Sequence, residues 1–227
     1  MVRFPGSNCE TETLRAVSRA GGDSFLVDYR DTTLGGAEAV ILPGGFSYGD
    51  ALRSGAIARF APVMSAVRDH AASGGAVLGI CNGFQILCEA HLLPGALLHN
   101  AQQRFAARPV DIRVERTDTC CTGTFTAGDT LRIPQAHGEG RFTAAPDTLD
   151  ELEAKGQVVL RYVAARGSDI DHNPNGSDRD IAGICNPAGN VVGFMPHPER
   201  LIDPAQGSDI GLGFFKSMIR WLAGAPA

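Results

Sequence analysis

The chain lacks any basic excess, with 20 Lys and Arg against 25 Asp and Glu and a formal net charge of -5. Proteins that grip a phosphate backbone need clustered cations, so no nucleic-acid partner is expected. No apolar run approaches the roughly 20 residues that cross a bilayer. The opening Met1-Val2-Arg3-Phe4-Pro5-Gly6 also lacks the basic-then-apolar order of a secretion signal. These absences predict a cytoplasmic chain with no membrane contact. The cysteines Cys9, Cys81, Cys88, Cys120, Cys121 and Cys185 form no C-x-x-C pair and no ligand-like spacing, so no metal site is read from them. Reduced thiols are expected, which leaves one available for catalysis. There is no internal repeat and no low-complexity stretch.

What is present is an ordinary globular composition, 44% hydrophobic and 20% charged. A chain of 227 residues buries one substantial core, and a single domain over 1–227 is expected. Short apolar runs end repeatedly in glycine-containing turns and pass into helix-like stretches. That alternation predicts an α/β fold, with a mostly parallel sheet covered by helices on both faces. Ser7-Asn8-Cys9-Glu10 fits a capping box before a helix that Gly21-Gly22 stops. Ser24–Val27, Ala39–Leu42 and Gly75–Gly79 read as buried strands, and Ile57, Phe60, Val63 and Val67 as one helix that Pro62 bends or shifts. Strict alternation over Val110–Glu115 implies a strand with one wet face, hence a small antiparallel extension. Late strands are read at Val158–Leu160, Ile181–Ile184 and Val191–Met195. Leu212, Phe215, Met218, Ile219 and Leu222 then recur at the spacing of a terminal amphipathic helix.

Chemistry concentrates where Gly75-Ala-Val-Leu-Gly-Ile runs into Cys81 and then a helix extending to about His91. Gly79-x-Cys81-x-Gly83 is the cysteine version of a nucleophile elbow. Small flanking residues let strand and helix backbones approach closely, and the helix N-terminus would stabilise a thiolate on Cys81. Cys88 lies two turns further on among Ile86 and Leu87 without a glycine frame, and belongs to the core. A cysteine nucleophile needs a base and a group to orient that base. Pro196-His197-Pro198-Glu199 follows a strand whose carboxyl end opens into the same crevice, so His197 is the base and Glu199 its orienter. Gly44-Gly45 follows another buried strand. It makes the Gly45 N–H, together with the N–H of Asn82, a candidate oxyanion donor. His137, within His137-Gly-Glu-Gly140, is the weaker candidate for the base.

The elbow with Gln85 at its end, and the His-Pro-Glu segment, together resemble the class I glutamine amidotransferases. Phe4-Pro-Gly-Ser-Asn-Cys9, Gly44-Gly-Phe-Ser-Tyr-Gly-Asp50, His137-Gly-Glu-Gly140, Asn173-Pro-Asn-Gly-Ser177 and Met195-Pro-His-Pro-Glu-Arg200 narrow the resemblance. The chain is similar to the glutaminase subunits of phosphoribosylformylglycinamidine synthases, from Phe4 to Arg200. The resemblance implies hydrolysis of glutamine through a γ-glutamyl thioester on Cys81, with Gln85 touching the substrate. It further implies delivery of ammonia to a synthetase subunit that uses ATP and Mg, and a small bridging subunit. Asn173–Ser177 and His137–Gly140 would face that partner or line the rim of the site. Only Met1-Val2-Arg3 precede Phe4-Pro-Gly-Ser-Asn, fewer apolar residues than is usual in the family, so a short first strand is expected. Ala51 stands where the family often has an aromatic residue. A stand-alone cysteine hydrolase or a non-catalytic binding member of the fold would share the elbow. The His-Pro-Glu segment argues against the first, and the intact set Cys81, His197 and Glu199 against the second.

Overall fold

The computed structural model describes residues 1–165 and 171–224. The chain begins with β1 (Val2–Arg3), α1 (Glu10–Arg19) and β2 (Val27–Asp28), and the two short strands pair in parallel. Next come β3 (Ala39–Leu42), α2 (Val63–Ala72), β4 (Ala76–Ile80) and α3 (Asn82–Glu89). Then follow β5 (Ala96–Leu98), β6 (Ala106–Val114), β7 (Thr130–His137), β8 (Arg141–Thr143) and α4 (Pro146–Ala154). The chain continues through β9 (Val158–Val163), β10 (Ile181–Cys185), β11 (Val191–Phe194) and α5 (Leu212–Leu222).

A seven-stranded sheet runs in the order β3-β4-β11-β10-β9-β6-β7. β3, β4 and β11 are parallel, while β10, β9, β6 and β7 join antiparallel. The α/β class and the antiparallel extension both stand, and the extension takes in four strands besides the separate β5–β8 ladder. Every residue of β4 and β11 is buried, as expected of central strands covered on both faces. β6 and β7 alternate between buried and exposed residues, the sign of a sheet wet on one side.

Three local expectations fail. Ser24–Val27 is not a buried strand: Phe25 and Leu26 are 45% and 41% exposed, and pairing starts only at Val27. β1 is two residues long, so it offers ladder partners to Val27 and Asp28 alone. No capping box starts α1, because the Ser7 hydroxyl accepts from the Phe4 N–H at 3.1 Å and closes the preceding turn. Pro62 does not bend a helix but begins one, since its φ of -50° suits the position before Val63 and its missing N–H costs nothing there. Ile57 and Phe60 lie outside α2, Ile57 just before a short 3-10 turn over Ala58–Phe60 and Phe60 at its end, in solvent. The helix α3 ends at Glu89 with Ala90 as its cap, within two residues of the expected end near His91, which turns left-handed at φ 58°.

The site depends on how closely α3 lies on the sheet. A Cβ on Gly83 would stand 1.9 Å from the Leu42 carbonyl oxygen, and one on Gly79 would stand 2.6 Å from the Gly83 backbone. Only hydrogen fits at either position. Gly83→Ala is therefore expected to destabilise the chain by about 3 kcal/mol, the upper end of overpacking costs, measured as a lowered urea midpoint. An unchanged midpoint would show that the helix is free to move away from β3.

Candidate active site

β4 ends at Ile80, and the next residue, Cys81, takes φ 49° and ψ -105° before α3 begins. A side chain rarely occupies that region, so the turn stores strain held by its neighbours. The Cys81 N–H donates to the Phe194 carbonyl at 2.8 Å, tying the turn to the end of β11. Its thiol is buried yet lines a cleft of about 130 Å³ with Gly45, Asp50, Gln85, His137 and Glu139.

From the end of β11 the chain carries His197 and Glu199 beneath this cleft, both fully buried. The His197 N–H donates to the Pro134 carbonyl at 2.7 Å, so β7 fixes its backbone. His197 Nδ1 and Glu199 Oε1 are 2.5 Å apart, while His197 Nε2 has no hydrogen-bond partner. Burial works to lower the proton affinity of His197, but the Glu199 carboxylate and then the Cys81 sulfur overcome it, leaving the imidazole well above its ordinary range. Gly44 leaves room for the ring, because a Cβ there would lie 2.8 Å from His197 Cε1.

His137 is brought to the same cleft in a different state. Burial, then the charge of His197, pushes its pKa down to about 3. Its Nδ1 lies 3.1 Å from Asn100 Oδ1, and Asn100 Nδ2 is committed to the Arg104 and His137 carbonyls. Nδ1 therefore carries the proton, and Gln135 serves Nε2 only with its NH2 turned toward the ring. His137 is a neutral structural imidazole; His197 keeps a nitrogen free.

Of the two expected oxyanion residues, Gly45 lines the cleft with Cys81 and Asn82 follows Cys81 in the chain. Asn82 is the first residue of α3, where an N–H has no intrahelical acceptor. Gly45 takes φ 144°, and a Cβ there would lie 2.7 Å from the Asn8 nitrogen. Gln85 lines the cleft, but its amide is engaged within the protein: Oε1 accepts from Asn82 Nδ2 at 2.8 Å and Nε2 donates to the Glu139 carbonyl at 2.5 Å. Asn82 Oδ1 in turn accepts from the Ser47 N–H at 3.1 Å. Three segments distant in sequence are thus locked around Cys81.

Sequence reasoning missed several residues. Asn175 Nδ2 donates to the Gly140 carbonyl at 2.6 Å and Ser177 Oγ to the same oxygen at 3.3 Å, so Asn173–Ser177 latches the His137–Gly140 turn from within. Their burial was not readable from a turn-like composition. Cys9 lies beside the buried pair: its Sγ and ligand atoms of His197 and Glu199 fall within 4.8 Å of one another, and Arg200 Nη2 donates to the sulfur at 3.3 Å. This is the one such grouping among the described residues. Its histidine and carboxylate are already bonded to each other, which suits a proton-holding pair better than a metal nest.

A family model for the CobB/CobQ-like glutamine amidotransferase domain matches residues 1–222. The chain belongs to this family. It is 56% identical over 225 residues to "Phosphoribosylformylglycinamidine synthase subunit PurQ" of Rubrobacter xylanophilus, covering 99% of this chain and 97% of that one. It is 51% identical to the protein of the same name from Thermus thermophilus, covering 98% of each. Among solved structures, PurLQS from Thermotoga maritima matches at 42% identity and a TM-score of 0.86, covering 97% of this chain and 96% of that chain. A glutamine amidotransferase from Thermotoga maritima, at 15% identity and a TM-score of 0.61, covers 99% of this chain and 96% of that chain and shares the fold.

Because Glu199 holds up the proton affinity of His197, Glu199→Gln is expected to lower the pH at which the imidazole titrates. The imidazolium then persists over a narrower range, ending at lower pH. Histidine side-chain NMR across a pH series would read this, and an unmoved titration would detach Glu199 from that role.

Proposed function

We propose that this amidotransferase chain is the glutaminase subunit of a phosphoribosylformylglycinamidine synthase. It releases ammonia from glutamine for a synthetase subunit that makes formylglycinamidine ribonucleotide in purine biosynthesis. The observation that carries the reading is the buried His197, bonded to Glu199 through Nδ1 with Nε2 free, beside a thiol at a strained strand-to-helix turn. The names of the full-length relatives supply the nature of the acceptor reaction.

In the proposed mechanism the Cys81 sulfur attacks the γ-carbonyl carbon of glutamine. Charge then develops on the carbonyl oxygen, and the N–H groups of Gly45 and Asn82 are positioned to receive it. An amide nitrogen leaves poorly unless protonated, and the His197 imidazolium donates that proton through Nε2. Ammonia departs and a γ-glutamyl thioester remains on Cys81. The now neutral His197 takes a proton from water as the water attacks the thioester; collapse expels the Cys81 thiolate, leaves His197 again as the imidazolium and releases glutamate. Glu199 keeps the ring oriented and stabilises each imidazolium state. Gln85 acts by holding Glu139 and the helix start in place, with its outer face available to substrate.

ATP and Mg belong, in this reading, to the synthetase partner, and a small bridging subunit completes a cytoplasmic assembly. Among the described residues no helix is long and apolar enough to cross a membrane. Exposed apolar residues at the cleft suit a protein partner: Phe46 and Phe105 line it and are 43% and 54% exposed, and Leu52, between the lining residues Asp50 and Ser54 in the chain, is 94% exposed. Leu52 is also left-handed at φ 69°, and its neighbour Arg53 is pinned by a two-pronged pair with Glu89 at 2.6 and 2.8 Å. The synthetase subunit is proposed to cover this rim.

Cys81→Ala is expected to abolish glutamine-dependent synthesis in the reconstituted assembly while synthesis from added ammonium chloride persists. Retention of the glutamine-dependent rate would overturn the assignment. The chain alone is expected to hydrolyse glutamine at least about tenfold more slowly than in the assembly, because the partner completes the cleft. Equal rates in a coupled glutamate assay would remove the gating role of the partner.

A further inference from the structure

Arg200 follows the buried His197–Glu199 pair, and the proposed mechanism gives it no part. The 3-10 turn Pro198–Arg200 folds it back, with its N–H donating to the His197 carbonyl at 3.3 Å. The guanidinium then reaches the start of α1, where Nη2 donates to Cys9 Sγ at 3.3 Å. Its Nε lies 3.9 Å from Glu199 Oε1, the same oxygen that holds His197 Nδ1. Among the described residues no other carboxylate pairs with Arg200. One carboxylate oxygen thus faces an imidazole and a guanidinium together. Cys9 is a fixed anchor for that arm, being only 1% exposed. Its carbonyl accepts from the Thr13 N–H at 3.1 Å and the Thr13 hydroxyl at 2.7 Å, and its N–H donates to the Gly44 carbonyl at 3.4 Å. Its Sγ donates to Asn8 Oδ1 at 3.2 Å, which leaves the sulfur lone pairs to the guanidinium.

The sulfur also borders the imidazole, since a Cβ on Gly44 would lie 3.1 Å from Cys9 Sγ and 2.8 Å from His197 Cε1. Few charges face His197. Glu199 and Arg200 come from its own segment, Cys9 from the start of α1, Cys81 from the strand-to-helix turn, and the neutral His137 from the end of β7. The segment packs against α1, β7 and α5. On those elements Glu12, Arg15, Arg19, Arg132, Lys216 and Arg220 are exposed, and Glu10 is half-buried. A guanidinium beside the shared carboxylate offsets part of its field and repels the imidazolium directly. Both effects make His197 release its proton more readily.

We propose that Arg200, anchored on the Cys9 sulfur, is a positioning residue that shares the Glu199 carboxylate with His197 and so keeps the imidazolium acidic enough to protonate the leaving amide. This rests on the glutaminase reading and deepens it. Facing an unshared buried carboxylate, the imidazolium would be stable but a weak acid, because its proton affinity already stands well above the ordinary range. The proton passes from Nε2 to the amide nitrogen as the C–N bond breaks, and the attacking water later returns one to Nε2. Arg200 exchanges no proton in either step and acts only through Glu199. Cys9 fixes the distance at which it does so.

The test follows His197 through a pH series by histidine side-chain NMR on the full chain, and records the pH profile of glutamine hydrolysis by the chain assembled on its synthetase subunit. The Arg200 side chain is 38% exposed, so Arg200→Gln is expected to fold. It is expected to raise the pH at which His197 titrates by about half a unit, the effect left to a charge that solvent partly screens. That sign is opposite to the one expected of Glu199→Gln. The high-pH limb of kcat is expected to move up with it, while the plateau falls by about twofold to fivefold because the acid is weaker. Arg200→Lys keeps the charge and is expected to show less than half of either change. Cys9→Ala releases the guanidinium, so it is expected to shift the titration in the same direction and to add nothing further when combined with Arg200→Gln. An unmoved or lowered titration in Arg200→Gln, an equal rise in Arg200→Lys, or a slower rate with an unmoved limb would overturn the inference. Failure of the unmodified assembly to hydrolyse glutamine would remove the glutaminase reading, and the NMR titration, which needs no turnover, would still decide whether the carboxylate is shared.

Discussion

The close contact between α3 and the strands beneath it is the constraint on which the rest depends. Cys81 adopts a backbone conformation that costs free energy, and it does so because β4 runs straight into a helix pressed against the Leu42 carbonyl. The strain is maintained by hydrophobic burial on both faces of the parallel strands, which contributes far more free energy than one unfavourable residue costs. Its consequence is geometric: Cys81 lines the cleft at the start of the helix. A relaxed turn would have left Cys81 packed like Cys88, whose thiol is pushed well above its usual range by complete burial.

A second constraint is electrostatic. Two buried histidines share the site, yet only one can be charged without prohibitive repulsion. The fold separates them by partner. His197 has a carboxylate 2.5 Å away and is held protonated, whereas His137 has two side-chain amides and is held neutral. Residue type says nothing of this division; the neighbours decide it. Burial, and to a lesser degree the Glu139 carboxylate, likewise raises the proton affinity of Asp50. Glu199, by contrast, is paired internally with its histidine.

The loops around the cleft are joined by polar contacts that cross long sequence intervals. Ser47, Asn82, Gln85 and Glu139 form one chain of hydrogen bonds, and Asn100, Asn175 and Ser177 secure the turn that carries Glu139. These side chains are buried, so loss of any partner would leave an unsatisfied group and loosen the walls of the cleft. The arrangement explains why segments with the composition of simple turns are fixed in place. It also leaves the exposed apolar residues Leu52 and Phe60 on a firmly held surface, the condition for docking without a large ordering cost.

The sequence by itself determined the α/β class, the strand-to-helix turn at Cys81, the terminal helix and the pairing of His197 with Glu199. Each of these is written in local pattern: periodicity, glycines flanking a cysteine, or two residues separated by a proline. Only the tertiary structure decided that Ser24–Leu26 lies outside the sheet, that Pro62 starts a helix, and that His137 is neutral. It alone brought Cys9 beside the His197–Glu199 pair and aimed Asp50 at the cleft. Ladder length, burial and proton affinity are properties of a residue's neighbours in space, and those neighbours come from distant parts of the chain. A linear pattern records what a segment prefers. Which preferences prevail, and what charge a buried group carries, is settled by what packs against it.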